Sequence, residues 1–230
     1  MRVIDVNKIR NTVSGLCIKA NIDLRKDILS ALRAAARSEK NAGARRVLEI
    51  LVENAAIARR EGLAICQDTG IACVYLEIGQ AANITGGDLI RAVNDGVRQG
   101  YREGYFRDSI ADPLTRKKVR GNAPAVIHTS ITQGGRIRIT VVPKGFGCEN
   151  KNVVKMFRPT AHIGEIKKFI VDAVRLAGPD ACPPYIIGVG IGGTFEKAAA
   201  LSKEALLEKV QGSRFKVQGR ACKLERDLLK

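Results

Sequence analysis

The chain contains no tryptophan, and aromatic residues make up only 4% of it. Ile, Val, Leu and Ala must therefore build the core, within a hydrophobic fraction of 45% that is ample for one. No C-x-x-C pair occurs among the cysteines at 17, 66, 73, 148, 182 and 222. That excludes a zinc ribbon or a thioredoxin-type motif. No apolar run is long enough to span a membrane, and the opening Met1-Arg2-Val3-Ile4-Asp5 lacks a signal-peptide core. The expected compartment is the cytoplasm, where disulfides are rare. Acidic residues are also in short supply. There are 23 Asp and Glu against 39 Lys and Arg in 230 residues, a net charge of +16. Such a balance first suggests nucleic acid. The basic residues are instead spread along helical patterns with few aromatics for stacking. No nucleic acid and no membrane are expected as partners. An anionic small substrate or an acidic partner subunit remains.

In the chain that is left, apolar positions recur at helical spacing over residues 5–19, with Ile9, Val13, Leu16 and Cys17 on one face. Asn21 to Asp23 read as a break, and Asp23 as a cap for a second helix over 24–38. A third helix is expected over 42–60, with Gly62 after its end. A strand follows at 73–78. Asp88 reads as the cap of a fourth helix that reaches Glu103. Strands are expected at 125–131 and 136–142, and the intervening Thr132-Gln133-Gly134-Gly135 reads as a hairpin turn. Ile and Arg alternate in the later strand, which gives the sheet one wet face. Helices from about Lys151, over 164–177 and up to Val210 are also expected, with a further strand at 185–190. The fold class is α/β, with N-terminal helices followed by a mixed β-sheet flanked by helices.

Between the third helix and the first of these strands lies Ala64-Ile65-Cys66-Gln67-Asp68-Thr69-Gly70. It combines a soft ligand, an amide, a carboxylate, a hydroxyl and a turn glycine. Two readings stand. Asp68 and Thr69 bond their own turn, or the polar groups are there for chemistry. Residues 105–122 form a polar loop holding Arg107, Arg116, Lys117, Lys118 and Arg120. Most of these charges are expected to be solvated, though one of them could instead be an Arg that clamps a carboxylate with its planar fork. His128 reads as a sheet residue, and Cys17 and Cys73 as buried small hydrophobes. Gly145 and Gly147 flank Phe146 and precede Cys148, so the backbone can approach a ligand or another loop closely there. Cys182 sits in a stiff loop between Pro179 and Pro183-Pro184. Gly190-Ile191-Gly192-Gly193-Thr194 lacks the Lys of a P-loop and is weak as a nucleotide motif.

Taken together, Cys66-Gln67-Asp68-Thr69-Gly70, the Gly-rich turn over 143–150, Ala181-Cys182-Pro183-Pro184 and Gly188-Val189-Gly190-Ile191-Gly192-Gly193-Thr194 resemble one family. Ala111-Asp112-Pro113-Leu114 and Asn122-Ala123-Pro124-Ala125 fit the same pattern. The chain resembles the alpha subunit of class I iron–sulfur fumarate hydratases and L(+)-tartrate dehydratases, from near its start to about Val210. That resemblance implies a hydro-lyase that hydrates fumarate reversibly or dehydrates tartrate. It implies a 4Fe–4S cluster with Cys66 and Cys182 among its three thiolate ligands, and an open iron acting as a Lewis acid. Gln67, Asp68, Arg107, Gly145 and Gly147 would contact a dicarboxylate, Asp68 serving as the catalytic acid. A beta subunit would supply the base, so a homo- or hetero-oligomer is expected.

The resemblance also carries two departures. The family turn reads Gly-Gly-Gly-Ser where this chain has Gly145-Phe146-Gly147-Cys148. The family's third cluster cysteine lies in a C-terminal section that this sequence does not display. Residues 1–210 are accordingly read as the alpha-subunit domain and 211–230 as a basic, poorly packed stub. Either the chain is shortened or the cluster site is incomplete, and substitution by Cys148 or Cys222 is not the expectation, since particular loops set cluster geometry. The alternative function is a catalytically incomplete paralogue that binds a partner or metabolite. Cys66, Cys182 and the 145–148 turn are expected to border one cleft that Asp68 faces.

Overall fold

A computed structural model of the protein describes residues 2–210 and Leu228. Cys222 and the expectation of a loosely packed stub lie outside the described residues. In chain order the elements are β1 (Arg2–Asp5), α1 (Val6–Ile22), α2 (Lys26–Ser38), α3 (Ala42–Glu61), β2 (Ile71–Gly79), β3 (Ala82–Thr85), α4 (Leu89–Glu103), β4 (Val126–Thr132), β5 (Ile137–Lys144), α5 (Phe146–Glu149), α6 (Ile163–Ala177) and α7 (Phe195–Ala205). Short 3₁₀ turns occur at Arg120–Asn122 and Pro179–Ala181. The mixed sheet with flanking helices is the α/β class expected. The chain divides into two compact units, Met1–Arg25 with Glu39–Phe146, and Lys26–Ser38 with Gly147–Lys230.

In the first unit, α1 begins where Asp5 accepts a hydrogen bond from the Asn7 N–H at 2.7 Å. Ile9, Val13 and Cys17 then fall on one face and are buried against Val93, Val97 and Tyr101 of α4 and Ala72, Val74 and Leu76 of β2. Each fully buried aliphatic side chain there contributes roughly 1.5–3 kcal/mol. Two glycines let the helices touch. A Cβ on Gly96 would lie 2.5 Å from the Arg10 carbonyl oxygen, and one on Gly100 would lie 2.6 Å from that of Ser14. Asp23 closes α1 through its backbone N–H to the Lys19 carbonyl, 2.8 Å, and so is not the cap of the next helix. Gly62 ends α3 with φ of 69°, and Asp88 caps α4, both as expected.

The three-stranded sheet has the order β4-β2-β5. β2 pairs in parallel with β4 and antiparallel with β5. The expected hairpin is therefore absent, because β2 lies between the two strands that were to pair. The cause is local. Residues 132–135 cross the end of β2, where the N–H groups of Gln80 and Ala81 donate to the carbonyls of Thr132 and Gly134, both at 2.8 Å. Gly79 permits the crossing, since a Cβ there would lie 2.5 Å from the Gly134 oxygen. The wet face is as expected. Tyr75 stacks on His128 with ring centroids 4.8 Å apart, and Glu77 pairs with Arg138 at 3.1 Å.

In the second unit no residue of α2, α6 or α7 is buried. The strand expected at 185–190 is not formed among the described residues. Gly188 and Gly190 instead lie directly on α7, where a Cβ on either would come within 2.0 Å of the Ser202 or Ala198 oxygen. The helix expected from Lys151 is also absent; the single turn of α5 ends at Glu149, and residues 152–158 form neither helix nor strand. Glu149 of that turn pairs with Lys203 of α7, and Lys151 pairs with Asp180 at 2.9 Å.

Candidate active site

The polar stretch before β2 is fastened at its entrance by two helices. The Ile65 N–H donates to the Asn21 carbonyl at the end of α1, 2.9 Å. The Ile65 carbonyl accepts from Asn54 of α3, 2.9 Å. Cys66 follows with its side chain exposed. Gln67 Oε1 accepts from Arg107 Nη1 at 3.4 Å, so the two residues meet although 40 positions separate them. Both oxygens of Asp68 are engaged. Oδ1 accepts from the Gly70 N–H at 3.0 Å, and Oδ2 from the Phe146 N–H at 2.7 Å. Asp68 thus bonds its own turn and reaches the Gly-rich turn as well. Gly70 has φ of 63°, and a Cβ on it would lie 2.1 Å from the Lys144 oxygen. A Cβ on Gly145 would lie 3.2 Å from Asp68 Oδ2. Gln67, Asp68, Arg107 and Gly145 are therefore assembled within the first unit.

Arg107 is exposed like the other loop cations and differs from them in its bond to Gln67. Arg116, Lys117 and Lys118 are exposed on a loop that Asp112 organises, as expected. Hydrogen bonds from the Thr115 N–H and hydroxyl and the Leu114 N–H hold the Asp112 carboxyl below its ordinary value. The sequence reading offered Thr69 only a bond within its own turn and gave neither Asn122 nor Tyr101 a side-chain role near Arg107. The buried hydroxyl of Thr69 and the side-chain amide of Asn122 both donate to its carbonyl oxygen, at 2.8 and 2.7 Å. Tyr101 donates to the Thr69 carbonyl at 2.9 Å, and burial pushes its phenol upward. The available sequence signal was Asn122 between Gly121 and Ala123-Pro124. Asn tolerates the left-handed conformation seen there, with φ of 48°.

Gly147, Cys148 and Cys182 belong to the second unit. A Cβ on Gly147 would lie 3.1 Å from the Asp180 carbonyl oxygen. The Cys148 thiol donates to the Ala181 carbonyl at 3.2 Å, which places it beside the residue preceding Cys182. Cys182 is held in the left-handed region with φ of 59°. The five cysteines among the described residues do not behave alike. Cys17 is fully buried and its thiol is pushed up to about 12, and Cys73 is buried too, whereas Cys66, Cys148 and Cys182 are exposed. Exposed thiols can be drawn into metal binding, and buried apolar ones are inert. Cys66 and Cys182 fit thiolate ligation of iron in kind. Among the described residues no group of three or more His, Cys, Asp and Glu converges as a metal site. No described helix is long and apolar enough to cross a membrane.

Comparison with known proteins gives this geometry its context. The family described as fumarate hydratase (Fumerase) matches residues 10–230. A protein of Methanocaldococcus jannaschii named "Putative L(+)-tartrate dehydratase subunit alpha" is 35% identical over 96% of this chain and 79% of its own. The L(+)-tartrate dehydratase subunit alpha of Escherichia coli K12 is 24% identical over 91% of this chain and 70% of its own. The anaerobic class I fumarate hydratase of the same organism is 33% identical over 62% of this chain and 27% of its own. The chain belongs to the fumarate hydratase (Fumerase) family.

Proposed function

We propose that the chain is the alpha subunit of a cytoplasmic iron–sulfur hydro-lyase that interconverts fumarate and malate or dehydrates tartrate. The observation that carries this reading is the meeting of Gln67, Asp68, Arg107 and Gly145 in a member of this family. Arg107 would hold a substrate carboxylate, for which its fork of donors is suited. Gln67, already in contact with Arg107, would fix the arginine and touch the diacid. Asp68 is oriented by two backbone N–H groups and would pass a proton to the departing hydroxyl, or take one back in the reverse direction. Gly145 and Gly147 would bring backbone against the substrate. Cys66 and Cys182 would hold a 4Fe–4S cluster, whose chemistry when bound is Lewis-acid polarisation of the substrate. The names of the relatives imply a beta subunit, which would bring the base. The positive field would draw in the dianion.

The test is anaerobic reconstitution of the complete enzyme with iron and sulfide. Visible absorption reads the cluster, and fumarate hydration and tartrate dehydration are assayed in parallel. Absorption that falls in Cys66→Ala and Cys182→Ala, together with turnover of either diacid, would support the reading. Binding of the diacid without turnover would favour an incomplete paralogue that acts as a binding subunit. Absorption unchanged in both variants would remove these cysteines as ligands.

A further inference from the structure

We infer that Thr69 and Asn122 are positioning residues for Arg107, seating its backbone carbonyl from two sides and so setting where its guanidinium meets a substrate carboxylate. The inference rests on the proposed role of Arg107 as the carboxylate clamp.

The guanidinium itself is poorly restrained. Arg107 is exposed, and the described polar contact of its side chain is the 3.4 Å bond to Gln67. That distance is at the weak end for a hydrogen bond. Its backbone is held far more closely. The carbonyl oxygen accepts from Thr69 Oγ1 at 2.8 Å and from Asn122 Nδ2 at 2.7 Å, which uses both of its lone pairs. Just downstream, Asn122 Oδ1 accepts from the N–H groups of Ser109 at 2.7 Å and Ile110 at 3.2 Å. One amide therefore grips three consecutive peptide units after the Arg107 Cα. Thr69 Oγ1 also lies 3.3 Å from the Ser109 hydroxyl.

Both anchors are themselves fixed. Thr69 is 2% exposed and Asn122 is 0% exposed. Tyr101, in the core of the first unit, binds the Thr69 carbonyl. Asp68 and Gly70 flank Thr69 directly in the chain, so the clamp and the acid share one support. A buried network of this kind is rigid when every member is satisfied. Functional side chains depend on such support to stay in register. The arrangement sets the direction in which the Arg107 Cβ leaves the loop, and the long side chain amplifies any error at that point.

The test compares variants in the complete enzyme. Thr69→Val keeps the size of Thr69 and removes its hydroxyl, and Thr69→Ser restores the hydroxyl. Asn122→Ala removes the grip on three peptide units. A displaced arginine weakens binding in ground and transition states alike, so KM for fumarate should rise about tenfold in Thr69→Val with kcat changed by less than about threefold. Thr69→Ser should return KM to near the parent value. The effect should also depend on Arg107, so that Thr69→Val made on an Arg107→Ala background raises KM no further. A merely structural role would multiply through on that background, and such a result overturns the proposal, as does a KM in Thr69→Val within about twofold of the parent. Arg107→Ala with an unchanged KM would overturn the clamp reading itself. If Asn122→Ala does not fold, the Thr69 series decides alone.

Discussion

The first unit buries one face each of α1, α4 and β2, and the second buries no residue of α2, α6 or α7. α1, α4 and β2 contribute Val13, Cys17, Val74, Val93 and Val97, all fully buried. α6 and α7 contribute no buried residue, and Ile163, Leu176 and Phe195 are exposed at 57%, 80% and 60%. The difference follows from how the elements meet. In the first unit, glycines at 96 and 100 bring two helix backbones together over a sheet with one apolar face. In the second, the described contacts include the ion pairs Lys203 to Glu149 and Lys151 to Asp180 and the bond from the Cys148 thiol to the Ala181 carbonyl. Exposed ion pairs contribute about 0–1 kcal/mol each. Candidate site residues on the first unit therefore stand on a packed base, while those on the second depend on loops. An active centre can place groups that must stay rigid on the former.

The comparison breaks most sharply at Asp68. If proton transfer belongs to the first unit, Asp68→Asn in the complete enzyme should lower kcat by roughly 10²–10⁴-fold, with much less change in fumarate binding. The amide also sets its NH₂ against the N–H of Gly70 or Phe146, which costs about 1–3 kcal/mol of stability. Turnover and the denaturant midpoint must therefore be measured on the same preparation. A stable variant with normal turnover would remove Asp68 from the chemistry.

Next in size is the stability contrast. Leu76→Ala, at 1% exposure in the core of the first unit, should cost about 2–5 kcal/mol in urea denaturation. Phe169→Ala in the second unit removes a half-buried ring that packs edge-on to Phe157 with centroids 5.8 Å apart. Its cost should be nearer about 1 kcal/mol, the size of an aromatic pair with modest burial. Equal costs would show that the second unit has a core as strong as the first. A pH series adds to this. The Cys17 thiol has an ordinary value of 9.0 and is pushed up to about 12 by burial. Below its ordinary value the thiol is protonated in both states. As pH rises from 9.0 towards 12, the unfolded chain ionises first, so stability falls. Cys17→Ala should start less stable and lose that part of the fall, as read from urea midpoints across the range.

These contrasts were unevenly legible in the sequence. The helices of the first unit could be read because each has a local mark, such as the apolar face at Ile9, Val13 and Cys17, Asp88 at a start and Gly62 at an end. Strand order could not, since the Thr132-Gln133-Gly134-Gly135 signal describes a turn and not what lies beneath it. The N–H groups of Gln80 and Ala81 took the carbonyls of that turn and put β2 between its arms. Residues 185–190 have the composition of a strand, but Gly188 and Gly190 fit the backbone against a helix instead. In the candidate site, Gln67 and Asp68 stood out as polar groups at a helix-to-strand junction. Thr69 stood out there only as a hydroxyl for its own turn and Asn122 only as part of a family pattern; their tie to Arg107 was not legible, because their partner is a backbone oxygen and every residue has one.

The smallest expected effect tests whether Cys148 is only a fastener of the second unit. Its thiol donates to the Ala181 carbonyl at 3.2 Å and is exposed. Serine offers a hydroxyl in the same place and is a stronger donor, so Cys148→Ser should leave the urea midpoint nearly unchanged. Cys148→Ala loses the bond and should cost about 0.5–1.5 kcal/mol at most. Cluster absorbance after reconstitution should be unchanged in Cys148→Ser if Cys148 acts through that carbonyl alone. The result that matters is a split, with Cys148→Ser stable but its absorbance lost. Hydroxyl and thiol are alike as donors to a carbonyl, but only the thiolate is a soft ligand for iron. A split would therefore move Cys148 from loop support to metal binding.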